Sequence, residues 1–213
     1  MRVSLSFDNG PEPGVTEGVL DALARTAIKA TFFVIGRKLQ SDEAQRLLDR
    51  THAEGHRLGN HTYSHSIPLG ELGSAEAVEE IAATQRLLGQ RAPERLFRPY
   101  GVEGRIGPHL LNQAAVAHLV AGGFTCVLWN AVPGDWKNPH GWVETAMDMC
   151  KARDFSLVVL HDLPTGAMAH LPRFLARLQE AGAEFTQDYP EECVPIRVGV
   201  PAAGIERYVS TRE

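Results

Sequence analysis

The chain has 213 residues and a formal net charge of -5 at pH 7, and 44% of its residues are hydrophobic. This length is enough for one large domain with a sizeable core, and the acidic balance disfavours nucleic acid or an anionic membrane as a partner. No apolar run reaches the roughly 18 residues that a membrane span needs. The first residues form a strand-like run and no secretory leader is visible, so we expect a cytoplasmic protein, of unknown oligomeric state.

Short runs of β-branched and aromatic residues alternate along the chain with longer amphipathic runs at helical spacing. This alternation predicts parallel strands with helical crossovers. The number of units favours a distorted (β/α) barrel of about seven strands, although an open sheet has the same periodicity. The predicted strands are residues 3–7, 31–35, 57–60, 95–97, 125–129, 157–160 and 184–186, and the predicted helices are 16–27, 42–54, 75–88, 109–120, 141–151 and 171–181.

The periodic pattern covers residues 3 to about 187, so we predict one domain over residues 1–213 with this core. The C-terminal extension, from about residue 188 to 213, has several prolines and no motif, and it could pack on the barrel or on a second subunit. Several predicted helices are followed by a glycine, where a left-handed cap residue belongs. These glycines are Gly55, Gly89, Gly122 and Gly182.

Polar side chains cluster where five of the predicted strands end. The carboxyl ends of parallel barrel strands meet on one face, which is where barrel enzymes have their active sites. We therefore expect these clusters to converge in space although they are distant in sequence. In chain order they are Asp8 with Asn9, His61 with His65, Arg98 with Tyr100, Asp135 with Trp136, and His161 with Asp162.

His61 and His65 are candidate metal ligands. Their spacing of four residues puts two imidazoles on one face of a helical turn, within reach of a single ion. A third ligand is needed, and Asp8 or Asn9 could supply it from the end of the first strand. Taken alone, the pair would more often be two loop histidines hydrogen-bonded to the backbone.

His161 and Trp136 are candidates for proton transfer and for substrate contact. His161 ends an apolar, buried strand, so its pKa can be tuned by a low-dielectric surrounding; the alternative is a structural histidine. Trp136 beside Asp135 suggests one wall of a sugar-sized pocket, because aromatic faces pack well on pyranose rings.

These motifs, taken in order, resemble the NodB-homology polysaccharide deacetylases, carbohydrate esterase family four. Each motif alone is weak, whereas all five in order, within residues 3 to about 187, are highly specific. The five matching segments are SFDNGP at 6–11, HTYSH at 61–65, RPY at 98–100, DW at 135–136 and VLH at 159–161.

The resemblance implies a distorted NodB-like barrel that hydrolyses acetamides with a divalent metal ion, most simply zinc, with cobalt or manganese as alternatives. It implies that His61, His65 and Asn9 bind the ion. It also implies that Asp8 is the general base, which takes a proton from the attacking water, and that His161 is the general acid, which protonates the leaving amine.

The remaining roles implied by the resemblance support these groups. Arg98 would orient Asp8 and Asp135 would tune His161, while the backbone N–H of Tyr100 would bind the oxyanion. Tyr100, Trp136 and Leu160 would contact the substrate.

Two residues depart from the family pattern. Asn9 stands where a second Asp is usual, and Val132 stands where the fourth motif usually has an earlier Asp. A neutral amide oxygen should bind the ion less tightly than a carboxylate, while leaving the ion more charge with which to activate water. The family branch that acts on muramic acid in peptidoglycan is similar in having Asn at the first of these positions.

The sequence thus predicts a metal-dependent amide hydrolase that removes an N-acetyl group from an N-acetylated sugar or oligosaccharide. One alternative is a hydrolase of a small non-sugar amide, of the ureide or formamide type, on the same barrel. A second alternative is a catalytically silent barrel that binds carbohydrate or a partner protein, with Asn9 as its support. The expected partner is an N-acetylated carbohydrate or a small amide, not nucleic acid or a membrane.

Overall fold

The computed structural model describes residues 1–211, in which we label nine strands and six α-helices. No helix within this range combines the length and the apolar character needed to cross a membrane. The strands are β1 (Arg2–Asp8), β2 (Thr31–Val34), β3 (Arg57–Asn60), β4 (Leu96–Phe97), β5 (Thr125–Cys126), β6 (Phe155–His161), β7 (Glu184–Phe185), β8 (Ile196–Arg197) and β9 (Val200–Pro201). The helices are α1 (Thr16–Thr26), α2 (Asp42–Ala53), α3 (Ser74–Leu88), α4 (Gln113–Ala121), α5 (Trp142–Lys151) and α6 (Leu171–Glu180).

The strands form one sheet in the order β6-β1-β2-β3-β4-β5-β8-β9, and β7 pairs with the start of β1. The strands from β6 through β5 are parallel, and β1 pairs with β6 along its full length. An isolated parallel bridge between Ala131 and Val158 joins the chain after β5 to β6. This bridge brings the two ends of the parallel sheet together and confirms the predicted distorted (β/α) barrel.

Side-chain alternation along β1 decides which of its residues can reach the active face. Val3, Leu5 and Phe7 belong to the core beneath the helices, whereas Ser6 and Asp8, on the opposite face, point into the barrel. The seven-residue length of β1 carries this inner row to the carboxyl end of the sheet. Asp8 therefore lies at the mouth of the barrel.

The helices cover the barrel with the apolar faces that their spacing predicts. α1 buries Val19, Leu20 and Leu23. Two helix starts are fixed by side-chain caps, because Ser41 accepts from the N–H of Ala44 at 3.1 Å before α2 and Asn112 caps α4 in the same way. The core packing of these faces, rather than helix propensity alone, holds the helices in place.

Two of the four predicted glycine caps are wrong. Gly55 and Gly182 have positive φ values of 80° and 70°, but Gly89 combines a φ of 55° with a ψ of -133°, outside the left-handed helical region, and Gly122 has a φ of -81°. Gly123, one residue later, has the left-handed conformation with a φ of 65°. α4 thus ends one residue further on than the pattern indicated.

The predicted fifth strand is shorter than its apolar run, and the C-terminal extension explains why. After Cys126 the chain leaves the ladder, and the N–H of Leu128 donates to the carbonyl of Cys193 at 2.7 Å. The extension also adds β8, antiparallel to β5, and β9. It buries Tyr189, Ile196 and Tyr208 against the barrel; residues 212–213 of the predicted extension lie outside the described range.

Candidate active site

A cavity of about 230 Å³ opens where the parallel strands end. All five clusters predicted from the sequence meet there, since each contributes at least one lining residue. Arg98 and Asp135 do not line the cavity themselves but lie fully buried, hydrogen-bonded to residues that do. The lining residues are Asp8, Asn9, His61, His65, Tyr100, Gly101, Glu103, Gly104, Trp129, Val132, Trp136, Val159, His161 and Leu163.

Asp8 is fixed by a buried guanidinium group. Nη1 of Arg98 donates to Asp8 Oδ1 at 2.7 Å and to Ser6 Oγ at 2.8 Å, and its other N–H groups donate to the carbonyls of Val127 and Leu128. The charge of the Arg98 guanidinium group is therefore neutralised by Asp8, and each of its three nitrogens donates at least one hydrogen bond. The second oxygen of Asp8, Oδ2, remains directed toward the cavity, 3.5 Å from His61 Nε2.

His61 and His65 approach each other, but not on a helical turn as their spacing suggested. The segment that carries them is a loop in which Thr62 and His65 have left-handed φ values of 64° and 51°. The two imidazole centroids are 4.5 Å apart, and the ring of His65 packs on Tyr100. The convergence of the pair was predicted correctly, while the helical geometry was wrong.

The imidazole rings of His61 and His65 are both in the neutral form that metal ligation requires. Burial lowers the pKa of His61 to about 3 and that of His65 to about 2, so both are uncharged at neutral pH. His61 Nδ1 lies 2.8 Å from the carbonyl oxygen of Arg98. Because a carbonyl can only accept, Nδ1 carries the proton and Nε2 has its lone pair free.

Asn9 presents an unpaired amide oxygen at the same cavity. Its φ of 75° lies in the left-handed region, which Asn adopts more readily than most residues. Its Oδ1 is buried and has no hydrogen-bond partner, which is unusual for a native amide oxygen. An unpaired amide oxygen beside two neutral imidazoles fits a divalent ion of the zinc type.

Within residues 1–211 no three His, Cys, Asp or Glu side chains form a group that could hold a metal ion, so a three-donor site at this cavity would have to include the amide oxygen of Asn9. Gly10, next to Asn9, is also required, because a Cβ there would lie 2.2 Å from a carboxylate oxygen of Asp162. Asp162 is fully buried, accepts from Thr16 Oγ1, and has its pKa raised to about 7 by burial.

His161 forms a second, separate charged pair with Asp135. Asp135 Oδ1 lies 2.9 Å from His161 Nδ1, and Oδ2 accepts from the backbone N–H of His161 at 2.9 Å. Burial lowers the pKa of His161, but the hydrogen bond and the charge of Asp135 outweigh it, so the pKa is raised above its usual value of 6.5. Trp136 packs edge-on against the imidazole ring and limits its movement.

The apolar wall of the cavity differs from the sequence-based assignment, both in a residue that was assigned to it and in residues that were missed. Leu160 points into the core beneath the helices and does not line the cavity. Val159 lines it instead, because neighbouring residues of a strand face opposite sides of the sheet. Leu163 and Trp129 were also missed as lining residues, and Trp129 is held by a hydrogen bond from Nε1 to the carbonyl of Gly104 at 2.9 Å.

Comparison with known proteins identifies the family. A family model described as polysaccharide deacetylase matches residues 1–115, just over half of the chain. The chain belongs to the polysaccharide deacetylase family. The part matched includes Asp8, Asn9, His61, His65 and Arg98, whereas the later polysaccharide deacetylase motifs lie beyond it.

Relatives of this polysaccharide deacetylase chain extend the match. It is 30% identical over 187 residues to peptidoglycan-N-acetylglucosamine deacetylase PgdA of Listeria monocytogenes, an alignment that covers 86% of the chain and 37% of that longer protein. It is 33% identical over 164 residues to a chitooligosaccharide deacetylase of Bradyrhizobium, covering 75% and 70%. The structure of a family 4 carbohydrate esterase from Streptomyces lividans in complex with acetate superposes with a TM-score of 0.74 at 25% identity, over 92% and 97% of the two chains.

Proposed function

We propose that this chain is a metal-dependent N-deacetylase that acts, as a single domain, on an N-acetylated sugar of the peptidoglycan or chitooligosaccharide type. The observation that carries the proposal is the presence of two separate acid–base pairs, Asp8 with Arg98 and His161 with Asp135, at one cavity. Relatives with this sequence pattern are named for deacetylation of such sugars. The cytoplasmic location expected from the sequence remains a prediction.

Asn9, His61 and His65 are the residues that would hold the ion, through the amide oxygen and two ring nitrogens. Zinc is the first choice for this set of donors, with cobalt and manganese as alternatives. When bound, the ion supplies Lewis acidity, which lowers the pKa of water and polarises an amide carbonyl.

Asp8 acts as the general base in the proposed reaction. Oδ1 is engaged by Arg98, so Oδ2, which lies 3.5 Å from His61 Nε2, is the oxygen that accepts a proton from the attacking water. The bond from Arg98 holds the carboxylate in a single orientation during this transfer. The backbone N–H of Tyr100 is the proposed hydrogen-bond donor to the oxyanion, a contribution of about 3–4 kcal/mol in comparable sites.

His161 acts as the general acid. Because Asp135 raises its pKa, the imidazolium form is available near neutral pH to protonate the leaving amine. With Nδ1 bound to Asp135, Nε2 is the atom that donates the proton. The apolar side chains of Val159, Leu163 and Trp136 give the cavity a wall that suits the acetyl methyl group.

Asp135→Asn should shift the pH profile of kcat/KM. Activity falls at high pH as His161 loses its proton, and removing the negative charge of Asp135 lets burial lower the pKa of His161. We expect the alkaline limb to move to lower pH. The free energy of unfolding should depend on pH in the same direction. The stabilising contribution of protonated His161 is fully present below pH 6.5 and is lost as the pH rises through its raised pKa.

Glu103→Gln is the matched control for this measurement. Glu103 also lines the cavity, but its carboxylate pairs with Lys137 at 3.0 Å. Its replacement should leave the alkaline limb unchanged. If Asp135→Asn leaves the limb in place as well, His161 is not the acid whose ionisation limits the reaction.

Removal of the metal should abolish the activity. Elemental analysis of the purified protein should give one divalent ion per chain, and chelation should stop acetate release from chitooligosaccharides by at least about 10²-fold, because the Lewis acid is lost. Added zinc should restore the rate. Asn9→Asp is the informative variant, since a carboxylate should bind the ion more tightly than the amide.

Three results would redirect the proposal. A bound ion with no acetate release from sugars would indicate a small non-sugar amide as the substrate. Full activity after complete removal of metal would contradict the metal-dependent mechanism. If no zinc, cobalt or manganese binds to the native chain, but zinc binds to Asn9→Asp, the native chain is a silent, binding-only barrel.

A further inference from the structure

We propose that Glu80, a residue of α3 outside the cavity, is a positioning residue that holds the loop of His61 and His65 in its ligand geometry. Glu80 lines a separate external groove on the other side of this loop. The inference deepens the proposed function, on which it rests for the identity of the site. It predicts that metal affinity depends on a side chain that does not touch the ion.

The loop needs such support because its backbone is strained. Thr62 and His65 both have left-handed φ values, which cost free energy for residues with a β-carbon and persist only where surrounding contacts enforce them. These two residues enclose Tyr63 and Ser64. Relaxation of either φ would swing one imidazole relative to the other.

Glu80 contacts the middle of this segment. Its Oε2 accepts from the backbone N–H of Tyr63 at 2.9 Å and from that of Ser64 at 2.8 Å. One carboxylate oxygen therefore binds two successive amides, which are the two between the strained residues. Hydrogen bonds of this kind to a charged acceptor are roughly twice as strong as those to a neutral one.

The rest of the loop is held from the opposite side and at its start. Backbone N–H groups of Gly36 and Arg37 donate to the carbonyls of Thr62 and Tyr63 at 3.0 and 2.9 Å. Asn60, fully buried at the end of β3, accepts from the N–H of Thr62. Glu80 connects α3 to the N–H groups of Tyr63 and Ser64. Removal of its carboxylate would therefore leave these two amides without their acceptor on α3.

α3 is a rigid base for this contact. Ala77, Ile81, Thr84 and Leu88 form its buried face, and the carbonyl of Ile81 accepts from Asn60 Nδ2 at 2.8 Å. Glu80 lies beside this face and is partly buried. The position of the histidine loop is thereby tied to the position of the helix.

Glu80→Ala should weaken zinc binding by about 10–100-fold, the range typical of partners that orient ligands without touching the ion. Glu80→Gln keeps a neutral acceptor and should have a smaller effect. Glu79→Ala is the matched control, because Glu79 is exposed on the same helix and pairs with Arg86 instead. We would measure zinc Kd by competition with a chelator, the absorption spectrum of the cobalt form, Tm, and hydrogen exchange at the N–H groups of Tyr63 and Ser64.

The expected result is weaker zinc binding, an altered cobalt spectrum and faster exchange at both amides in Glu80→Ala, with partial rescue in Glu80→Gln and native values in Glu79→Ala. A zinc Kd in Glu80→Ala equal to that of Glu79→Ala overturns the proposal. If Glu80→Ala does not fold, Glu80→Gln is compared with Glu79→Gln, and equal zinc Kd values overturn it. If the native chain binds no metal, the metal-dependent function fails, and unchanged amide exchange in Glu80→Ala or Glu80→Gln separately overturns the positioning role.

Discussion

Asp8→Asn is expected to lower kcat by about 10²–10⁴-fold while the chain stays folded. The amide has nearly the shape of the carboxylate, and its oxygen can still accept from Arg98 Nη1, but it cannot take a proton from water. Arg98 loses its counter-charge yet keeps the acceptors Ser6, Val127 and Leu128. We therefore expect a lower Tm together with an unchanged far-UV circular dichroism spectrum.

Ser6→Ala separates catalysis from the support of Arg98. It removes the other side-chain acceptor of Nη1 but leaves the Asp8 carboxylate in place. We expect it to lower Tm and to retain most of the activity. Native kcat in Asp8→Asn would exclude Asp8 as the base, and equal losses of kcat in both variants would mean that Asp8 acts only through the order of the Arg98 network.

His161→Ala is expected to lower kcat on an N-acetylated sugar by about 10²–10⁴-fold. An amine is a poor leaving group unless its nitrogen is protonated as the bond to carbon breaks, and His161 is the group whose raised pKa suits that transfer. An activated ester such as p-nitrophenyl acetate has a leaving group that needs no proton. The variant should therefore lose much less activity on the ester than on the amide.

His52→Ala is the control for this comparison, because His52 is exposed on α2 and is not among the residues that line the cavity. It should behave as the native chain on both substrates. Equal losses on ester and amide in His161→Ala would indicate that His161 orders the cavity and does not act as the acid. Native activity on the amide would exclude the role altogether.

The convergence of the site was predictable because it depends on rules that act locally. Apolar alternation places Asp8 at the end of an inner row, and the parallel order of strands brings the ends of β1 and β6 together, where Asp8 is paired with His161 in register. The resemblance to the deacetylase motifs then implied the two acid–base groups and the set of metal donors.

Two of the errors have a common physical origin in contacts between distant parts of the chain. The spacing of His61 and His65 fitted a helical turn, but hydrogen bonds that Glu80 accepts and that the chain after β2 donates hold a loop with left-handed φ values. The apolar run after Cys126 fitted a longer strand, but a carbonyl of the C-terminal extension takes the N–H of Leu128.

The sequence by itself predicted the alternation of parallel strands and helices, the face that carries the chemistry and the residues that meet there, because hydrophobic period and strand direction are properties of short segments. Only the tertiary structure decided between a barrel and an open sheet, and it set the state of each group: the tautomer of His61 and the opposite shifts in the pKa values of His65 and His161. These depend on burial and on partners that are far apart in the chain, which no local pattern encodes.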